Sequence, residues 1–372
     1  MTAAAWLLVA LGCDTEDGPP APWTEAERAQ LLAMSELPAP PPRVTNRVAD
    51  LPAAATLGAK VFFDPGFSSN GQVACATCHN PGLHFTDGKV VAETLAKGPR
   101  NTPSIETAAW QTWYYWDGRA DSAWAQATSP LTNPIEHGLD AAGVRARVDG
   151  AYRAEFEALF GGPLPEEPEA VLAQVGKVLE AYERTLSPGV NRFDSWLGDL
   201  AANRPSTALT AQEEAGLRVF LRQGDCVACH HGPLLTDHQF HNLGLPGPAI
   251  DPGRVVGASK VLHDPFNCKG AYADAPTAPD APDPCAELAY LDPTFPDWPS
   301  AFKTPSLRNV AATAPYMHDG RFATLDEVVD FYDELPGTPV VGHRELTLQP
   351  RELSDAQRAD LAAFLGALTA SP

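Results

Sequence analysis

The pentapeptide CATCH at residues 75–79 returns as CVACH at 226–230. Two cysteines separated by two residues, with a histidine next, accept few partners. The spacing lets two thiols bond covalently to the two vinyl groups of a haem, and the adjacent histidine then reaches the iron from the proximal side. The alternative is one zinc site built from all four cysteines. It would need two distant pairs to converge, and it would leave both histidines without a task. The reading is one c-type haem per motif. Cys75 and Cys78 attach the first and Cys226 and Cys229 the second, with His79 and His230 as proximal iron ligands.

The duplication extends beyond these motifs. GAKVFF (58–63) precedes the first and GLRVFL (216–221) the second; TPSI (102–105) is matched by TPSL (304–307), and YYWDGR (114–119) by YMHDGR (316–321). The last two pairs keep one register, with Pro305 lying 202 residues after Pro103 and Asp319 lying 202 after Asp117. Such order implies two related halves that meet near residues 195–208. Thr210 with Glu213 forms a capping-box sequence that opens a helix into the second motif. Apolar residues recur at helical spacing over 167–186, 324–335 and 354–368, and alternating strand patterns are scarce. The expected fold is mainly α, two cytochrome c-like domains at 50–200 and 201–372, after an arm at 13–49.

A length of 372 residues suits two domains, and 44% hydrophobic residues suffice for two cores. A net charge of −21 argues against a nucleic-acid partner, which needs a basic surface. It suits a cationic partner, although solubility explains it equally well. Residues 1–12 form a short apolar run ending in small residues, expected as an export signal, with Cys13 acylated as in a bacterial lipoprotein. Against that stand the lack of Lys or Arg near the start and Leu11 where a small residue is usual. A periplasmic protein with a lipid anchor and a tether over 14–22 is the expectation. Cys268 and Cys285 remain; in an oxidising compartment they are natural disulfide partners, and otherwise two free thiols.

Two haems are useful when their distal faces differ, one open to an oxidant and one closed. The register tests this: Tyr332 lies 202 residues after Pro130, so the first half places a side chain that cannot bind iron where the second places a phenol. Methionine is the common distal ligand, but the chain has only Met1, Met34 and Met317, the last in the slot of Tyr115. Tyr332 is therefore the better candidate for the distal ligand of the second haem, the alternative being a core aromatic on an amphipathic helix. The histidines at 84, 137, 231, 238, 241, 263 and 343 receive no role.

These motifs, with YYWDGRADS, QATSPLTNPIEHG and FKTPSLRNVAATAPYMHDGRFATLDEVVDFY, resemble the bacterial di-haem cytochrome c peroxidase/MauG superfamily over about residues 50–370. The resemblance implies two cytochrome c-like domains with calcium at their interface, a peroxidatic haem in the first and an electron-transfer haem in the second. Position by position, it makes Glu136 the distal acid, Gln126 and Pro130 its pocket neighbours, and Trp116 the tryptophan between the haems. Asn101, Thr313 and Pro315 match the calcium positions, the last two through backbone carbonyls. Tyr332 falls where peroxidases of the family carry methionine and MauG carries tyrosine. The loop VVAETLAKGPRN lacks the removable histidine ligand of the peroxidases, so the first haem is expected to be permanently open. These departures favour the MauG branch, whose members modify tryptophan on a partner protein. The excursion over 266–290 further resembles MbnH-type enzymes, which act on a companion periplasmic copper-binding protein.

Three readings follow. The first is an enzyme that uses hydrogen peroxide to reach a high-valent di-haem state and oxidise a tryptophan on a partner. The second is a peroxidase fed by a small cytochrome. The third is a di-haem electron carrier without enzymatic activity, which would need both haems closed.

Overall fold

A computed structural model describes residues 22–246, 251–274, 283 and 285–370. The apolar leader and Cys13 lie outside the described residues. Among the described residues the chain forms thirteen α-helices: α1 (Glu25–Leu32), α2 (Pro52–Phe62), α3 (Cys75–Cys78), α4 (Ala123–Thr132), α5 (Ala141–Ala151), α6 (Arg153–Phe160), α7 (Pro168–Glu183), α8 (Arg192–Ala201), α9 (Ala211–Leu221), α10 (Arg254–His263), α11 (Ala286–Ala289), α12 (Leu325–Glu334) and α13 (Asp355–Ala367). The only sheet among them is a two-residue antiparallel ladder, β1 (Phe240–His241) with β2 (Phe302–Lys303). The mainly helical expectation holds.

Helix starts follow local chemistry. The capping box at α9 is present: Glu213 N–H donates to Thr210 Oγ1 at 3.2 Å, and Thr210 N–H donates to Glu213 Oε2 at 2.8 Å. Equivalent boxes open α1, α12 and α13. Each satisfies two backbone donors that a helix end leaves free.

The helices pack around two main cores. In the first, α2 and α4 lie against α7, burying Leu57, Val61, Leu131, Val175 and Val178. In the second, α9 lies against α13, burying Leu217, Phe220, Leu361 and Phe364. Both contacts depend on the glycine shared by GAKVFF and GLRVFL. A Cβ on Gly58 would sit 1.9 Å from the Val178 carbonyl oxygen, and one on Gly216 would sit 1.9 Å from that of Asp360. The backbones touch there, so no side chain fits.

Phe193, Trp196 and Leu197 of α8 belong to the second core, as do Leu31 and Met34 of the N-terminal arm. From Trp23 onward the arm is docked: Trp23 packs edge-on to Trp196 at 5.9 Å and lies under the Arg218 guanidinium at 4.0 Å. Cys268 and Cys285 are joined in a disulfide with 5.5 Å between their Cα atoms. Closing a loop of this size contributes on the order of 3 kcal/mol. Around it Trp113, Val261 and Leu288 form a small separate cluster.

Candidate active site

The repeat seen in the sequence recurs in the backbone. Ser122 caps α4 and Thr324 caps α12, and the two helices begin 202 residues apart and have the same length, ten residues. Ahead of them, the bridge Tyr114–Ala120 matches Tyr316–Phe322. The Tyr114 hydroxyl donates to the Ala108 carbonyl at 2.8 Å, as that of Tyr316 does to Val310 at 3.1 Å. Tyr115 and Met317 both take left-handed φ, 66° and 69°. Pro130 and Tyr332 are thus each the eighth residue of corresponding helices.

The haem motifs are matched in the same way. In each, the histidine N–H donates to the carbonyl of the first cysteine at 2.9 Å, closing a tight turn. His79 Nδ1 donates to the Phe85 carbonyl at 3.0 Å and His230 Nδ1 to the Leu235 carbonyl at 2.9 Å. Fixing the proton on Nδ1 leaves the Nε2 lone pair for a metal. Burial also holds both imidazoles below the ordinary histidine range, which keeps them neutral. No group of metal-binding side chains among the described residues draws cysteines from both motifs, so the single zinc site falls away.

Both motifs open into one cavity of about 1150 Å³. This exceeds the roughly 300–1,000 Å³ of an ordinary small-ligand pocket. Its walls include Cys75, Cys78, His79, Trp116, Gln126, Pro130 and Glu136 from the first half, and Cys226, Cys229, His230 and Tyr332 from the second. Asn101, Thr313 and Pro315 line it as well. The donor set and the space fit two c-type haems.

Glu136 is held to the end of α4. Its carboxylate Oε1 accepts from Asn133 Nδ2 at 2.6 Å, and the His137 N–H returns to the Pro130 carbonyl at 3.2 Å. Burial pushes the Glu136 carboxyl up, opposed by the Asn133 hydrogen bond and the Arg119 charge. The Tyr115 hydroxyl donates to the Gln126 carbonyl at 2.9 Å. Tyr332 differs: no group among the described residues hydrogen-bonds its hydroxyl. Burial, and then the nearby sulfurs of Cys229 and Cys226, push that phenol well above its ordinary range. A metal ion would replace the proton such a group holds.

Trp116 is tied to both halves. Its Nε1–H donates to the Asn101 carbonyl at 2.9 Å, and its own carbonyl accepts the Lys303 N–H at 2.8 Å. Asn101 N–H in turn donates to the His318 carbonyl at 2.8 Å. Among the described residues no donor reaches Asn101 Oδ1 or the carbonyls of Thr313 and Pro315, and such free hard oxygens suit calcium. Met34 is buried in the second core and does not line the cavity.

Among residues without a role, His241 is the most constrained: Asp237 and Glu345 each hold a ring nitrogen at 2.8 Å. Against the pull of burial, hydrogen bonds to Asp237, Cys229 and Glu345 raise its imidazole to about 11. Sequence reasoning passed over His318. It occupies the Trp116 slot of the second half, lines the cavity and stacks on Phe302 with ring centroids 3.6 Å apart. The offset of 202 between YYWDGR and YMHDGR was the signal available.

Residues 52–201 match the family described as di-haem cytochrome c peroxidase. Methylamine utilization protein MauG of Methylorubrum extorquens is 33% identical over 99% of this chain and 94% of its own length. The chain belongs to the di-haem cytochrome c peroxidase/MauG family. A cytochrome-c peroxidase of Denitromonas iodatirespirans is also 33% identical, over 90% of this chain and 84% of that protein. A solved MauG-like protein associated with microbial copper homeostasis shares 28% identity with a TM-score of 0.67, covering 90% of this chain and 95% of that one. Membership makes the chain a di-haem peroxidase/MauG-type oxidoreductase, which sets aside the non-enzymatic carrier. It implies two c-type haems. Among the described residues no helix is long and apolar enough to cross a membrane.

Proposed function

We propose that the chain is a MauG-type enzyme of the periplasm that uses hydrogen peroxide to oxidise a tryptophan on a separate protein. One observation carries this reading: the same capped helix, in the same register, offers Pro130 in one half and Tyr332 in the other. A side chain that cannot bind iron leaves the first haem open to peroxide. Tyrosine in place of methionine suits a second haem that stores oxidising power instead of collecting electrons from a donor cytochrome.

When bound, the haems supply the iron that receives peroxide and the capacity to hold two oxidising equivalents. Glu136 moves the proton. Its carboxylate accepts the proton of the inner peroxide oxygen and returns it to the outer one, which leaves as water. Asn133 fixes Oε1, and Oε2 remains for that exchange. Gln126 and Pro130 shape the open pocket around it. Trp116, anchored to both halves, relays charge between them. Asn101 with the carbonyls of Thr313 and Pro315 holds a calcium ion that braces this junction. In balance, one peroxide and one indole C–H give a hydroxylated indole and one water; the two electrons lost by the tryptophan reduce the peroxide.

The link of a MauG-like relative to microbial copper homeostasis supports, as the partner, a small exported copper-binding-like protein. Cys13 would anchor the enzyme to a membrane by acylation. The test is to combine peroxide, the di-haem enzyme and the partner, then map mass changes on partner peptides. One added oxygen on a partner tryptophan is the expected result. Fast turnover with reduced cytochrome c, and no oxygen on any tryptophan, would instead establish the peroxidase reading that the Denitromonas relative favours.

A further inference from the structure

Glu183 is a carboxyl that peroxide cleavage does not use. It is the last residue of α7, it is 7% exposed, and it lines the cavity beside Cys75. Among the described residues no group hydrogen-bonds its carboxyl. Its position is hostile to a negative charge in three ways. The side chain is out of water. The C-terminal end of a helix is the negative pole of its dipole. And Glu180, one turn earlier, is a second buried carboxyl on the same face.

The two acids are not equivalent. Glu180 has partners, with Asn46 Nδ2 donating to Oε2 at 2.8 Å and Arg43 Nε 3.6 Å from Oε1. Burial raises the Glu180 carboxyl too, but the Arg43 charge and the Asn46 hydrogen bond oppose it, so the pair ionises first at Glu180 and last at Glu183. Burial, then the Glu180 charge, push Glu183 up to about 8. The other groups facing it keep their charge through that range. Burial pushes the Tyr114 phenol up, and its hydroxyl donates to the Ala108 carbonyl at 2.8 Å. The Tyr182 phenol is also raised by burial. The Cys75 thiol is pushed up to about 12 by burial and then by Glu183, and attachment to haem removes its proton altogether. Arg184 is paired with Asp50 at 2.6 Å.

We propose that Glu183 is the proton-exchanging partner of the first haem: it takes one proton from solvent as an electron arrives there, and releases it as that electron leaves. The carboxylate and the haem attached at Cys75 share a low-dielectric site, where a unit charge on one is strongly felt by the other. Linkage makes the effect mutual. The inference needs only the first haem, so it stands whether the electron comes from a protein tryptophan or a small cytochrome.

The experiment is spectroelectrochemical titration of the di-haem protein from about pH 6 to about pH 10, a range that brackets a raised carboxyl and leaves Tyr and Arg neighbours unchanged. In the native chain the midpoint of the first haem should fall as pH rises through the region of 8. In Glu183→Gln it should be flat there, with the second haem unchanged in both. A first-haem midpoint independent of pH, or a slope that survives in Glu183→Gln, overturns the proposal. If the variant fails to take up its first haem, redox-difference infrared spectra of the native protein in H₂O and D₂O decide. At a pH near 8 a carboxylic C=O band should be gained on reduction, and its absence overturns the proposal equally.

Discussion

Methionine and tyrosinate pull a haem iron in opposite directions: thioether sulfur raises the potential, and phenolate oxygen lowers it by adding charge. On the proposed reading Tyr332 therefore sets the character of the second haem. Its candidacy was legible in the sequence from two signals together, the offset of 202 from Pro130 and the resemblance to MauG. Glu183 was not legible, since its character comes from burial and from a partnered neighbour, both of them tertiary facts. Replacing Cys226 and Cys229 together by Ala should remove one covalent haem and leave the first attached, read by intact-protein mass. Two haems still bound covalently would contradict the attachment assigned here. Glu136→Gln should slow the reaction with peroxide by about 10²-fold or more if proton transfer limits it, measured by stopped flow. Unchanged kinetics would remove Glu136 from proton transfer.

Among the elements, the capping box of α9 and the periodic helices α7, α9, α12 and α13 were readable from sequence within a few residues. The partner of α8 was not: an amphipathic stretch announces that it needs a core without saying which. The repeat in the sequence suggests a linear boundary near residue 200, yet Phe193, Trp196 and Leu197 pack with Leu217 and Phe364 of the second half. The close glycine contacts were also hidden, because a glycine in a helix reads equally well as a weak point. At Gly216 two effects compete. Alanine gains about 1 kcal/mol in helix propensity, but overpacking costs about 1–3 kcal/mol and more against rigid backbone. A Cβ 1.9 Å from the Asp360 carbonyl decides for the clash. Gly216→Ala should lower stability in denaturant unfolding, whereas a neutral or stabilising result would show that α9 and α13 can separate freely. Thr210→Ala, which removes the cap, should cost about 1 kcal/mol in the same assay.

For the whole molecule, the buried acids give stability a pH dependence whose sign can be worked out. Glu183 is raised from an ordinary 4.5 to about 8. Between those values the folded chain keeps a proton that the unfolded chain has released, so this group makes stability fall as pH rises across that window. Above it the contribution is constant. Glu183→Gln should flatten the fall, measured as Tm against pH, and parallel curves for variant and native protein would contradict the raised carboxyl.

The asymmetry between the two haems is tested most directly by low-temperature EPR of the oxidised protein, beside Tyr332→Phe. The native protein should show one high-spin ferric signal, from a first haem that Pro130 leaves open, and one low-spin signal from a haem held by His230 and Tyr332. The substitution should change the low-spin signal and spare the other. Two low-spin signals in the native protein, or a Tyr332→Phe spectrum indistinguishable from it, would contradict the account.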